Sequence, residues 1–211
     1  MDLHLEVLNE IRKSALPKLA AFKNDFYLAG GTGLALQIGH RISVDFDFFR
    51  LEAFDPAEMR RKVELVFSGQ RVEMKSDAEN TLHMEVDEDI KLTFLRHPYK
   101  MVGKLAESEF LRFASFEDIG CMKLLAILDR HYYKDFVDLY AICQKLPLAA
   151  VLEASGEKYP TINPRALMLN LQYYDDLVME NIEFKNNFFV DLKIIEAFFK
   201  QEIKKLFDIK S

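Results

Sequence analysis

Apolar side chains recur at helical spacing near the start of the chain. The positions are Leu3, Val7, Leu8, Ile11, Ala15 and Leu19. With charged residues between them, they predict an amphipathic helix over residues 3–22, which Pro17 should kink or split. A short apolar run at residues 26–29 stops at two glycines, and residues 34–38 predict a brief helix that ends at Gly39. The order along the chain is therefore strand, glycine turn, helix.

Acidic and aromatic residues alternate over residues 44–49. Because successive side chains on a strand point to opposite faces, this period of two predicts a strand with Asp45 and Asp47 on one face. Phe46 and Phe48 then lie on the other face. The alternation places two carboxylates next to each other on the polar side of a sheet.

The rest of the first half predicts one helix and three strands. Asp55 followed by Pro56 is typical of a helix start, and the helix should run to about Phe67. The strand candidates are residues 70–75, 81–86 and 89–95. Their short connections favour antiparallel hairpins.

In the second half of the chain the apolar period changes to 3.6 residues. Ser115 can cap a helix that continues toward Gln144, and Asn163 followed by Pro164 starts another. Residues 185–207 carry Phe and Ile among lysines at helical spacing and predict a further helix. No strand is predicted in this half.

Together these elements predict an α/β fold of the α+β kind. A small mixed-sheet domain, residues 1–112, is expected to precede a helical bundle domain, residues 113–211. A chain of 211 residues can bury a core of useful size without disulfide or metal staples. Half of its residues are apolar and 29% are charged, which is typical of a folded protein and excludes wholesale disorder.

Charge and cysteine usage narrow the class of protein. The formal net charge of −6 argues against nucleic-acid binding through the electrostatic field of the whole protein. A polyanion would have to bind at a local basic patch. Cys121 and Cys143 stand far apart inside apolar runs, so we expect no disulfide framework and a reducing compartment. No stretch approaches the roughly 20 apolar residues of a membrane span. We expect a soluble, cytoplasmic chain without a membrane partner.

The segment from Leu28 to Phe49 combines two features of a nucleotide site. Gly30, Gly31 and Gly33 let backbone N–H groups approach an anion closely, at the point where a helix begins. Thr32 adds a hydroxyl donor. Two carboxylates at i and i+2 of a strand can then hold a hard divalent ion such as Mg²⁺. Each feature alone is common, but their order along the chain favours a phosphate loop beside a metal-binding acid pair.

This segment resembles the signature of the nucleotidyltransferase superfamily, in which a glycine pair precedes an Asp-x-Asp strand. Gly39-His40-Arg41 and Ser43 narrow the resemblance to the AbiEii group, toxins of type IV toxin–antitoxin and abortive-infection systems. The resemblance implies that Gly30, Gly31 and Thr32 bind the nucleotide and that Asp45 and Asp47 are catalytic metal ligands. It further implies Mg²⁺-dependent transfer from an NTP to an acceptor, particularly RNA or tRNA, and a cognate antitoxin protein.

A second block resembles the same group's Lys…Arg…(Arg/Lys)-Asp-x-x-Asp-Leu motif. Its residues are Lys123, Arg130, Lys134, Asp135 and Asp138. On one continuous helix, all of them except Asp135 fall on a stripe about 80° wide. A charged stripe is usually a solvated face, but beside the first block we expect it to bind nucleotide or acceptor. The resemblance implies a catalytic role for Lys123 and nucleotide contacts for the other four.

One position departs from the family pattern. Nucleotidyltransferases commonly carry a third acid on a later strand, and Thr93 occupies that position here. Alternation puts Leu92 and Phe94 in the core and turns Thr93 toward the acid pair. Threonine cannot provide the carboxylate that activates an attacking hydroxyl, and Glu85 is a possible substitute. The missing acid leaves open a catalytically impaired module that binds nucleotide or a partner. Because these residues do not specify the acceptor, a nucleotidyltransferase that modifies small molecules such as antibiotics also stays open.

Overall fold

The structure is a computed structural model that describes residues 1–208. The chain forms two compact units, the first comprising residues 1–100 with 104–114 and the second residues 101–103 with the chain from 115 onward. The first unit ends two residues beyond the predicted boundary. Asp118 explains why residues 101–103 belong to the second unit, because its carboxylate accepts hydrogen bonds from the N–H groups of Val102 (3.1 Å) and Gly103 (2.9 Å).

The first unit contains helices and strands in mixed order. Its helices are α1 (Glu10–Leu19), α2 (Gly30–Ile38) and α3 (Pro56–Val66). Its strands are β1 (Tyr27–Ala29), β2 (Asp45–Arg50), β3 (Val72–Ala78), β4 (Thr81–Val86), β5 (Ile90–Arg96), β6 (Ala106–Glu107) and β7 (Arg112–Phe113). They form one sheet in the order β3-β4-β5-β2-β1-β7-β6. The β2–β5 and β1–β7 pairs are parallel and the other pairs are antiparallel, so the predicted α/β fold class is confirmed.

One face of this sheet builds the hydrophobic core. Phe48 and Phe94 stack with ring centroids 5.2 Å apart, and the ring of Phe22 meets both. Buried residues of α1, α2 and α3 join the same cluster. Aromatic residues at alternate positions of β2 thus point into the core, as predicted, and the acidic residues between them lie on the opposite face.

Two helix starts in the first unit differ from the prediction. The helix predicted over residues 3–22 is split ahead of Glu10, where the side chain of Asn9 caps α1. Pro17 does not split it but lies inside α1, which then tightens into a 3-10 turn over residues 20–22. α2 begins at Gly30, four residues early, so that the glycines form its first turn. Low helix propensity hid that start, and tertiary packing overrides it.

The second unit is helical in the residues described. Its helices are α4 (Phe116–Arg130), α5 (Tyr133–Cys143), α6 (Leu148–Lys158), α7 (Pro164–Asn170) and α8 (Leu192–Asp208). Ser115 and Asn163 cap α4 and α7 as predicted. α6 was not predicted, because Ser155 interrupts its buried apolar face. The last helix begins at Leu192 rather than near residue 185.

The predicted continuous helix from Ser115 toward Gln144 is wrong. His131 adopts a left-handed conformation (φ 43°, ψ 49°) that ends α4. Such a conformation costs a non-glycine residue roughly 1–2 kcal/mol. Contacts offset this cost, since Val178 donates a hydrogen bond to the His131 carbonyl (2.9 Å) and the His131 ring packs on Phe136 and Tyr173. Among residues 1–208, none of the helices has the length and apolarity that crossing a bilayer requires.

Candidate active site

The start of α2 lies directly beside Asp47. β1 pairs with β2 so that Ala29 is opposite Asp47, and Gly30 follows at once. Gly30 has φ +65°, and a Cβ built on it would lie 2.6 Å from Asp47 Oδ2. Only glycine meets both demands. The register of one strand pair thus places a carboxylate against a helix N-terminus.

The second glycine, Gly31, is enclosed by the polar side chains of Arg41 and Ser43, which belong to the same sequence motif. A Cβ on Gly31 would lie 2.5 Å from Arg41 Nη2 and 2.9 Å from Ser43 Oγ. Thr32 is fully buried and its hydroxyl donates to Ser43 Oγ at 2.9 Å. Thr32 therefore ties α2 to the segment before β2, and a direct hydrogen bond from it to phosphate stays a prediction.

Asp45 and Asp47 share the face of β2 that points away from the core. Asp45 is exposed and Asp47 is half-buried. Their Cα atoms are about 6.6 Å apart along the strand. One or two carboxylates suffice for Mg²⁺, which keeps waters and substrate phosphates in its shell. Residues 1–208 hold no group of three or more His, Cys, Asp or Glu side chains placed to bind a metal.

Thr93 occupies the position beside Asp47 on the neighbouring strand. The parallel register of β2 and β5 pairs these two residues, and Leu92 and Phe94 are buried, as predicted from alternation. Thr93 Oγ1 lies 3.2 Å from His83 Nδ1. Glu85 does not replace the missing acid. It is on β4, separated from β2 by β5, and it pairs with Lys75 at 2.5 Å.

Lys123 is the centre of a buried ion cluster in the second unit. Its Nζ atom lies 2.7 Å from Asp135 Oδ1 and 2.5 Å from Asp138 Oδ2, and both carboxylates are fully buried. Arg130 binds the two oxygens of Asp135 at 2.9 and 3.1 Å. Burial disfavours the charged form of Asp135, but Lys123 and Arg130 outweigh that penalty and hold its pKa below the ordinary value.

The cationic block does not form the single helical stripe that the sequence predicts. Because α4 ends at His131, Lys123 and Arg130 lie on one helix and Lys134, Asp135 and Asp138 on the next. The two helices meet through ion pairs instead of sharing a helical face. Lys134 turns to Glu180, with a separation of 2.6 Å between charged atoms. Arg130 is the most exposed member, with 45% of its side chain accessible.

Comparison with known proteins places the chain in a family. Residues 15–207 match the family described as nucleotidyl transferase AbiEii toxin, of the type IV toxin–antitoxin system. The chain belongs to the AbiEii family. It is thus a nucleotidyltransferase of the toxin type, as the two sequence blocks indicated.

Relatives of this AbiEii protein match more than nine tenths of its length. The uncharacterized protein aq_aa25 from Aquifex aeolicus (strain VF5) is 32% identical over 206 residues, which are 94% of this chain and 97% of that protein. Two solved structures share the fold. They are JHP933 from Helicobacter pylori (TM-score 0.52, 18% identity, 98% of each chain) and MenT4, a nucleotidyltransferase toxin from Mycobacterium tuberculosis H37Rv (TM-score 0.57, 16% identity, 94% of this chain and 82% of that one).

Gly30→Ala in this AbiEii protein is expected to abolish nucleotide transfer. The backbone at Gly30 is left-handed, and this conformation costs an alanine about 1–2 kcal/mol. The new Cβ also displaces the Asp47 carboxylate. Gly69→Ala is the matched control, because Gly69 has φ +85° and open space around its Cβ position. Thermal melting should show a similar loss of stability in both variants, while only Gly30→Ala loses transfer. Equal activity of the two variants would contradict the placement of Asp47 at the reaction centre.

Proposed function

We propose that this protein transfers a nucleotide from an NTP to an RNA acceptor, in particular a tRNA, with Mg²⁺ as cofactor. The observation that carries the proposal is the contact between Asp47 and Gly30, which places a carboxylate beside the N-terminus of a helix. A carboxylate would suit a metal ion, and a helix N-terminus would suit a phosphate. The exposed Asp45 on the same face would supply the second oxygen ligand. Membership of the AbiEii family supports the reaction class.

Each part of the site has a role in this reaction. Asp45 and Asp47 would hold Mg²⁺, which neutralises a triphosphate and polarises its α-phosphorus when bound. The N–H groups of Gly31 and Thr32 belong to the first turn of α2, where they have no acceptor within the helix and can bind the β- and γ-phosphates. Phosphoryl chemistry needs mainly such positioning and charge.

The block on α4 and α5 is proposed to offset phosphate charge. Arg130 and Lys134 are partly exposed and can extend their charge to a ligand. Lys123 is buried, and Asp135 and Asp138 fix the position of its ammonium group. Its charge would therefore reach a phosphate through space and not by direct contact. This arrangement keeps the cationic groups rigid before a nucleotide arrives, which lowers the entropic cost of binding.

We infer a cytoplasmic location and a cognate antitoxin protein. Cys121 and Cys143 are both free thiols, which suits a reducing compartment. The type IV toxin–antitoxin family supports the partner.

Labelling the acceptor tests the proposal directly. The purified chain is incubated with Mg²⁺, each of the four labelled NTPs in turn, and total RNA or purified tRNA. We expect label in RNA from at least one NTP, and none when Mg²⁺ is chelated. A parallel set of reactions contains aminoglycosides. Label on those compounds instead of RNA would favour the small-molecule nucleotidyltransferase.

Thr93 gives a specific reason to keep a second candidate, a module that binds nucleotide without efficient transfer. The position beside Asp47 carries a hydroxyl where a third carboxylate would serve as general base. Nucleotide binding with no label transferred to any acceptor would favour this candidate.

Thr93→Asp is expected to raise both Mg²⁺ affinity and the transfer rate. The new carboxylate would lie on the same face as Asp47 and opposite it in register. A general base is typically worth about 10²- to 10⁴-fold in rate, so a gain of about tenfold or more is expected even with imperfect geometry. Turnover and Mg²⁺ titrations measure the two effects, and Thr93→Asn controls for size without charge. Equal rates in both variants would mean that the reaction does not use this position.

A further inference from the structure

Four aromatic rings form a row on the face of the sheet that carries the acid pair. Phe49 follows Asp47 by two residues on β2, so both side chains lie on the face away from the core. Tyr27 on β1 is opposite Phe49 in register, and the two rings stack with centroids 6.1 Å apart and planes inclined by 24°.

The row continues beyond the end of β5. The His97 N–H donates to the Arg50 carbonyl at 2.7 Å, which fixes this segment beside the end of β2. The His97 ring meets Phe49 edge-on at 5.9 Å, and the Tyr99 ring lies 4.9 Å from His97. Exposure rises along the row from 7% at Tyr27 to 39% at Tyr99. The row therefore begins at the buried ring of Tyr27 and ends at the exposed ring of Tyr99.

The position of this row suits a nucleoside. The core aromatics of β2 point to the other face, and Phe49, His97 and Tyr99 do not belong to the core cluster. The buried ring of Tyr27 supports Phe49 from one side. Phe49 and Asp47 have Cα atoms about 6.6 Å apart along the strand, which is the scale that separates a nucleobase from its own phosphates. Aromatic side chains beside a charged groove are the usual means of binding unstacked bases, because every base has a π-face.

We propose that the row Tyr27, Phe49, His97 and Tyr99 stacks a nucleobase whose phosphate group is held at the acid pair. This inference rests on the proposed function, since it assigns a ligand to the same face of the sheet. The base can belong to the NTP or to the end of the acceptor RNA. Both sources share the stacking chemistry, and binding measurements separate them.

The test measures binding without transfer. The variants are Phe49→Leu and Tyr99→Leu, and the ligands are each NTP, inorganic triphosphate, and a fluorescein-labelled single-stranded ribooligonucleotide. Loss of one stacking ring should weaken binding of the stacked ligand by about 5- to 150-fold and leave binding of inorganic triphosphate unchanged. Phe49→Tyr and Tyr99→Phe keep a ring and should retain affinity.

Each outcome decides for or against the row. Weaker binding of NTP but not of triphosphate assigns the base to the donor, and weaker binding of the oligonucleotide alone assigns it to the acceptor. Phe189→Leu, at a ring that is 70% exposed in the second unit, should change neither. Three results would overturn the proposal. They are unchanged binding in the variants, equal losses of affinity for NTP and triphosphate, and a wild-type protein that binds neither NTP nor the oligonucleotide. Base-dependent binding in a protein that transfers nothing would instead reject the proposed reaction and keep the stacking row.

Discussion

Asp47→Asn is expected to lower nucleotide transfer by at least about 10³-fold while the protein stays folded. Removing one electrostatic contributor to a transition state typically costs about 10²- to 10³-fold, and here the change also weakens the binding of the ion. Asparagine keeps the size of the side chain beside Gly30. Asp47 is half-buried on the polar face of β2 and outside the core cluster, so the change should cost little stability. Asp45→Asn should act in the same direction.

Transfer assays and thermal melting, each with and without Mg²⁺, separate activity from folding. Asp77→Asn is the matched control, because Asp77 is an exposed aspartate on another strand of the same sheet. It should leave both activity and the effect of Mg²⁺ unchanged. Unfolding of Asp47→Asn at ordinary temperature would make the carboxylate structural, and retained transfer would move the metal site elsewhere.

Lys123→Ala is expected to destabilise the protein by about 3–5 kcal/mol. The variant leaves Asp135 and Asp138 buried without the cation that bridges them, and an uncompensated buried charge carries a penalty of this size. Arg130 still binds Asp135, which limits the loss at that carboxylate. Urea unfolding of the full chain measures the effect.

Lys134→Ala provides the control for a lysine in the same block. Its partner Glu180 is only partly buried, so the loss should be within about 1 kcal/mol. Asp138→Asn in the Lys123→Ala background should restore part of the stability, because it removes one of the two buried negative charges that Lys123 offsets. If Lys123→Ala is as stable as the wild type and loses triphosphate affinity more than monophosphate affinity, Lys123 contacts the phosphates directly.

Local patterns were enough to predict several elements of this fold. The alternation of acids and aromatics assigned β2 and both of its faces, since a period of two is a property of any strand. Asp55 before Pro56 marked the start of α3, and Gly39 marked the end of α2 with φ 71°, because caps are made by residues within one turn. β6 and β7 were missed, since two residues carry no period.

Several features of the candidate site lay beyond such patterns. His131 breaks the helix at a point with no glycine or proline, because contacts from Val178 and Tyr173 stabilise a conformation that histidine alone disfavours. The partners of Lys123 lie on a different helix, so a single helical wheel could not show them. The same break turned a predicted charged stripe into a buried cluster.

The sequence by itself determined the family: its glycine pair, acid pair and cationic block resemble the AbiEii pattern, and the family match over residues 15–207 confirms that resemblance. Only certain residue types can bind a phosphate or a metal ion, so candidate residues can be recognised in a sequence before the fold is known. Only the tertiary structure decided how they meet. Strand register places Asp47 against Gly30 and opposite Thr93, and it continues the acid face into the ring of Phe49. Register depends on pairing between distant segments, whose packing free energy no local pattern records.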